Sequence, residues 1–187
     1  MINNRFYYYL FFFIFFFNLA AAAEKGKIIE NLKNYQSLEF SFLQITNENS
    51  DIGFCYLNFP GKLKCNYDDN KKKELLINGK DLYITQKRYN KTSYYPLTKS
   101  PYLKILNKIE LIKIIKKSEI KYLKDKIILI NSNNEGKKIN IFFDRNDLSL
   151  KGWEIEDQFK NNVTFLIEII SINKEVGDDK FQPPILN

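Results

Sequence analysis

The sequence predicts a mainly β fold, a curved antiparallel sheet of about nine to eleven strands, long enough to curl into a half-barrel, with one helical insertion. Three observations carry this. Apolar residues recur with period two in short stretches along most of the chain. Turn residues separate those stretches, most strongly Asn78-Gly79, where both residues tolerate positive φ. One segment behind Ser100-Pro101 changes to helical spacing, with Ser suited to the N-cap and Pro to the first helical position.

Residues 1–23 stand apart from the fold because they read as an export signal. Polar Asn3, Asn4 and Arg5 precede an apolar run from Phe6 to Phe17, and small Ala21 and Ala23 suit cleavage before Glu24. A membrane anchor is the competing reading, since Phe6 to Ala23 reaches the lower length limit for a span. With 23 residues removed from 187, residues 24–187 are expected to form a single exported domain of 164 residues with 28 basic and 22 acidic groups.

Within that domain, 24–34 is expected to be a short amphipathic helix on Ile28, Ile29 and Leu32. Strands are expected from Ser37 to Thr46, where Leu38, Phe40 and Phe42 alternate with Glu39 and Ser41, and from Ile52 to Phe59 after an Asn47 to Asp51 turn. Lys62 to Tyr67, Glu74 to Ile77, Asp81 to Gln86 and Arg88 to Tyr95 follow, the last ended by Pro96. Behind Ser100-Pro101, helical spacing covers Tyr102, Leu103, Ile105, Leu106 and Ile109, then a second short helix on Leu111, Ile112, Ile114 and Ile115. Strands resume at Glu119 to Leu123, Lys126 to Asn131, Lys137 to Phe143, Ser149 to Glu156 and Val163 to Asn173, with Asn133, Asn134 and Gly136 as turn residues. Pro183-Pro184 cannot continue a strand. Helices sealing the open side of such a sheet would make an ordinary core; hinged helices would make a cavity for an apolar ligand.

The two cysteines flank Pro60-Gly61. If the flanking strands form a hairpin with an odd-length loop around Pro60-Gly61-Lys62, residue 57 pairs with 63 and Cys55 faces Cys65, a pairing favoured by export. A strict two-residue turn would instead pair 55 with 66 and leave two small buried hydrophobes.

Composition weighs against chemistry. The chain has 29 Lys plus Arg against 22 Asp plus Glu, no His, and too few cysteines for a four-thiolate metal site. The side chain that most often serves as base, shuttle or metal ligand near neutral pH is thus missing. Carboxylate pairs such as Asp68-Asp69, Asp144 with Asp147 and Asp178-Asp179 fall in expected turns or strand ends, where Asp is common anyway. No catalytic residue, metal or cofactor is assigned, and the protein is not expected to be an enzyme. Lys71, Lys72 and Lys73 read as a solvated loop face, and export argues against a nucleic-acid partner.

Several motifs stand in one order. They are Ser37-Leu38 with Phe42-x-Gln44, the hairpin from Gly53 through Pro60-Gly61 to Tyr67, Ile77-Asn78-Gly79-Lys80-Asp81-Leu82-Tyr83, Ser100-Pro101-Tyr102-Leu103-x-x-Leu106, and Phe181-Gln182-Pro183-Pro184. Over nearly all of residues 24–187 this order resembles the LolA family of periplasmic outer-membrane lipoprotein carriers. The resemblance implies an unclosed β half-barrel with a helical lid enclosing a hydrophobic cavity. It implies a periplasmic monomer that takes triacylated lipoproteins from an inner-membrane releasing ABC transporter (LolCDE-like) and passes them to an outer-membrane receptor lipoprotein (LolB-like). The alternative is a periplasmic lipid-binding or lipid-sensing domain that transfers nothing. Cavity-wall candidates are Phe42, Leu57, Phe59, Leu63, Tyr67, Tyr83, Phe143 and Trp153; lid candidates are Leu103, Ile105 and Leu106. One departure stands out: Phe59 occupies the place where the family usually has arginine before Pro-Gly, which implies a lid held by apolar contact instead of a polar latch.

Overall fold

A computed structural model describes residues 21–98, 100–132, 138–156 and 160–185. A helix α1 over 21–34 leads into strands β1 (Ser37–Thr46), β2 (Asn49–Asn58), β3 (Lys62–Tyr67), β4 (Lys73–Asn78), β5 (Asp81–Gln86) and β6 (Lys91–Pro96). Helices α2 (Pro101–Leu106) and α3 (Lys108–Lys117) then precede β7 (Glu119–Tyr122), β8 (Lys126–Ser132), β9 (Lys138–Asp144), β10 (Leu150–Glu156) and β11 (Asn162–Ile172). Residues 1–20, which hold most of the expected export signal, and turn residues Asn133, Asn134 and Gly136 lie outside the described residues. Among the described residues no helix is long and apolar enough to cross a membrane.

The strands form one antiparallel sheet in the order β6-β5-β4-β3-β2-β1-β11-β10-β9-β8-β7. Each half is an up-and-down meander, and the halves meet where β1 pairs with β11. The free edges are β6 and β7, so the half-barrel is not closed. The chain between those edges is α2 followed by α3. Connectivity alone therefore places the helices across the open side.

Strand alternation sorts the side chains onto two faces. Leu38, Phe40, Cys55, Cys65, Ile127, Leu129, Ile141 and Phe143 are each at most 1% exposed and share one cluster with Ile28 and Leu32 of α1, Ile105 and Leu106 of α2, and Leu111, Ile114 and Ile115 of α3. The concave face is thus filled by helix side chains, each worth about 1.5–3 kcal/mol when fully buried. On the convex face a second cluster joins Leu76 with Val176 and Phe181 of the C-terminal segment, with Tyr56 and Tyr83 beside them. That segment is tied down by hydrogen bonds from Asn58 Nδ2 to the Val176 carbonyl (3.1 Å) and from Asn78 Nδ2 to the Phe181 carbonyl (3.2 Å).

Within the sheet and its helical insertion three boundaries depart from the sequence expectation by three residues, and α1 already covers 21–23, which were expected in the export signal. β2 begins at Asn49, because Asn47 adopts φ 54 and lets a two-residue turn join Thr46 to its partner Asn49. β6 begins at Lys91, since Lys87–Tyr89 form a 3-10 turn ended by Asn90 in the left-handed region. Helix α2 ends at Leu106 and Ile109 belongs to α3. Asn107 is the cause, since its Oδ1 accepts from the Ile109 and Glu110 amides and so starts a new helix.

Candidate functional site

The interior floor is an aromatic ladder across five strands. Trp153 on β10 stacks on Phe165 of β11 (5.1 Å between ring centroids), Phe165 stacks on Phe42 of β1 (4.6 Å), and Phe42 meets Tyr67 of β3 edge-on (4.9 Å). Strand register dictates the order, because Trp153 pairs directly with Phe165, and Phe42, Gly53 and Tyr67 stand in one row. Gly53 is what allows Phe42 to cross β2: a Cβ there would lie 2.8 Å from two carbons of the Phe42 ring. At the other end Gly152, with φ +138, sits at a bulge where a Cβ would strike the Phe165 carbonyl. That bulge seats Trp153 against its neighbour strand.

Polar groups on this floor are few. The Tyr67 hydroxyl donates to Gln44 Oε1 at 2.6 Å. Burial, with the nearby Tyr102, Asp51 and Asp69, pushes that hydroxyl far above the ordinary tyrosine value. It stays neutral and acts as a donor, not as a proton-transfer group. Among the described residues no cluster of His, Cys, Asp or Glu could hold a metal ion. The floor can bury hydrocarbon and offer a small number of hydrogen bonds.

The cover is made of short helices. α2 starts as expected, with Ser100 Oγ accepting from the Tyr102 amide at 3.3 Å and Pro101 in the first turn. Helices of six and ten residues have little stability of their own. Their place is set by apolar packing and by ties at the α2–α3 junction. There the Gly61 amide donates to the Leu106 carbonyl (2.9 Å), Lys108 Nζ lies 5.4 Å from the Phe59 ring centroid, and Lys108 also reaches the Lys33 carbonyl (3.3 Å). Lys25 of α1 bonds the Ser118 carbonyl behind α3. Phe59 itself packs half-buried against the core cluster. Apolar contact is therefore joined by a main-chain hydrogen bond and a cation–π contact, so the polar tie survives without an arginine.

Of the cavity-wall candidates, Phe42, Leu57, Leu63, Tyr67, Phe143 and Trp153 lie buried on the concave side, and Phe59 sits at its rim. Tyr83 does not: it pairs with Leu76 and Tyr94 and packs into the convex cluster under the C-terminal segment. The cause is that Leu82, Tyr83 and Ile84 make both faces of β5 apolar. Among the lid candidates Ile105 and Leu106 are buried, and Leu103 packs half-buried against the same cluster. Cys55 and Cys65 are directly paired across β2 and β3 and form a disulfide, with Leu57 opposite Leu63, so the odd-length loop prevails. Phe165 and Gln44 were not among the sequence candidates. Phe165 was readable from the Val163, Phe165, Ile167 alternation, but nothing local marks Gln44 as the partner of Tyr67. An open groove of about 590 Å³ lies on the convex side, lined by Ser41, Leu43, Ile52, Asp68, Leu166 and Glu168 among others.

A family model described as outer membrane lipoprotein carrier protein LolA matches residues 33–184. No curated protein matches the chain. Among solved structures, MucB is 10% identical with a TM-score of 0.52, covering 89% of this chain and 63% of that one. An uncharacterized conserved protein from Thermus thermophilus is 8% identical with a TM-score of 0.50, covering 87% and 94%. A LolA superfamily protein from Nitrosomonas europaea is 7% identical with a TM-score of 0.44, covering 87% and 97%. At such identities the first two likenesses speak for the fold alone. With the family match running from the end of α1 to Pro184, over the open sheet and its helical cover, the chain belongs to the LolA family of outer membrane lipoprotein carrier proteins.

Proposed function

We propose that the protein is a periplasmic carrier, exported by cleavage after residue 23, that holds the acyl chains of lipoproteins between its concave sheet face and its helices. It receives them from an inner-membrane releasing transporter and gives them to an outer-membrane receptor lipoprotein. The observation that supports this most is the junction itself: an aromatic and aliphatic floor covered by short helices that are not paired into the sheet. Each acyl methylene left in water costs about 0.8 kcal/mol, so three chains cannot cross an aqueous space unescorted. When helices α2 and α3 swing aside, acyl methylenes replace Ile105, Leu106 and Leu111 on the floor and the apolar area buried changes little. Uptake is then near balance, and a receptor with a somewhat tighter hold can empty the carrier.

The test is to incubate the purified protein with inner-membrane vesicles that carry a triacylated lipoprotein and the energised releasing transporter. A soluble one-to-one complex of protein and lipoprotein is expected. Lipoprotein that stays in the membrane would overturn the carrier reading, and binding of free lipid without release would leave a lipid-binding domain.

A further inference from the structure

Trp153 is the single tryptophan of the chain. It is 2% exposed, and its indole Nε1 is a buried donor without a hydrogen-bond partner among the described residues. Native interiors leave few such groups unpaired, because the donor forfeits its water and gains nothing in return. Two other buried side-chain atoms among the described residues lack partners, Asn58 Oδ1 and Asn140 Oδ1. Both are acceptors on amides whose Nδ2 is bonded, to the Val176 carbonyl and to Glu154 Oε1, on the convex side. Among the described residues, Trp153 alone leaves a donor unpaired on the concave floor.

The surroundings explain why no side chain answers it. Its neighbours across the strands are Phe165 and Ile141, neither of which has a side-chain acceptor. Phe165 lies parallel to the indole at 8°, so it covers the ring face and offers nothing to the in-plane N–H. At the opposite end of the ladder the Tyr67 hydroxyl already has Gln44 at 2.6 Å. Among the described residues the floor therefore offers one unspent side-chain hydrogen-bond donor amid hydrocarbon.

We propose that Trp153 Nε1–H is the binding site for an ester carbonyl oxygen of the cargo's acyl chains, so that the floor distinguishes acyl chains from plain hydrocarbon. This rests on the carrier reading above. Hydrocarbon on the floor leaves the indole donor orphaned, whereas the carbonyl at the head of an acyl chain satisfies it. Trp153 is here a specificity-determining residue whose effect is one hydrogen bond.

The test compares dipalmitoylglycerol, which has ester carbonyls, with dihexadecylglycerol, its ether analogue without them, on the wild type and on Trp153→Phe, which keeps the stacking ring and removes the donor. Wild type is expected to bind the ester roughly five-fold more tightly than the ether, the worth of about one net hydrogen bond. Trp153→Phe should bind both alike at the wild-type ether level. Because Trp153 is the sole indole, wild-type fluorescence gives a reading that needs no variant: its emission should move to longer wavelength with the ester and not with the ether. Equal affinities in the wild type and an identical emission response to both lipids would overturn the assignment while leaving the carrier reading intact. Uptake of neither lipid would overturn both.

Discussion

Reduction of the Cys55–Cys65 bond is the perturbation whose size follows most directly from the structure. The two residues are 10 apart in sequence and are 0% and 1% exposed. Closing a loop of that length in the unfolded chain is worth about 2.7 kcal/mol at 25 °C by the chain-entropy relation. Reduction removes no heavy atom and opens no cavity, although the two thiols must move apart to non-bonded distance, so the loss reads mainly the cross-link. For a chain of this size the loss corresponds to a fall of roughly 5–11 °C in the unfolding midpoint. Urea unfolding with and without reductant should show a lower midpoint at nearly unchanged slope. The cross-link also lies close to the loop whose Gly61 amide holds the Leu106 carbonyl. Reduced protein should therefore take up a fluorescent hydrophobic probe faster than oxidised protein. Coincident unfolding curves in the two states, or two free thiols titrated in unfolded, unreduced protein, would refute the reasoning.

Gly53→Ala should destabilise the fold by about 1–3 kcal/mol in urea unfolding, because the new Cβ meets both the Asn66 carbonyl and the Phe42 ring, and neither can retreat without disturbing the ladder. Phe59→Arg should alter lid closure, since it exchanges a half-buried ring under Lys108 for a second cation beside it; probe uptake should rise, and unchanged uptake would count against a latch at this position. Glu39 gives a pH dependence: although burial pushes its carboxyl up, the Ser171 hydroxyl and Lys174 ammonium hold it below the ordinary 4.5. A lowered value means stability that is present above about pH 4.5 and lost as pH falls through the folded-state value, so Glu39→Gln should flatten the acid limb of a stability–pH curve; an identical limb in the variant would remove Glu39 from that role.

Most of this sheet was legible because its strands carry one dominant apolar face and its turns carry diagnostic residues. Ser37–Thr46 and Lys62–Tyr67 fall where alternation puts them, and Asp81–Gln86 falls where the Asn78-Gly79 turn puts it. The pairing of Cys55 with Cys65 followed from matching the apolar parity of two adjacent strands, which a register slip of one residue would have broken. What escaped depends on partners far along the chain. Tyr83 faces outward because Val176 and Phe181, about a hundred residues later, cover that side of β5, and no local pattern announces a second apolar cluster. β2 is a local exception: it runs further than its apolar residues suggest because Asn49, Ser50 and Asp51 pair with Thr46, Ile45 and Gln44 at the polar end of the hairpin. The orphaned donor of Trp153 was invisible because it is defined by the absence of side-chain acceptors on two neighbouring strands.

The concave face as the acyl site is tested most directly by photo-crosslinking. A photoreactive residue at Leu63, buried on the concave floor, is compared with one at Tyr83 on the convex side, each loaded with a lipoprotein whose acyl chains carry a radiolabel. A carrier of this build should give a labelled adduct from position 63 and none from position 83. Adducts from position 83 with none from position 63 would contradict it.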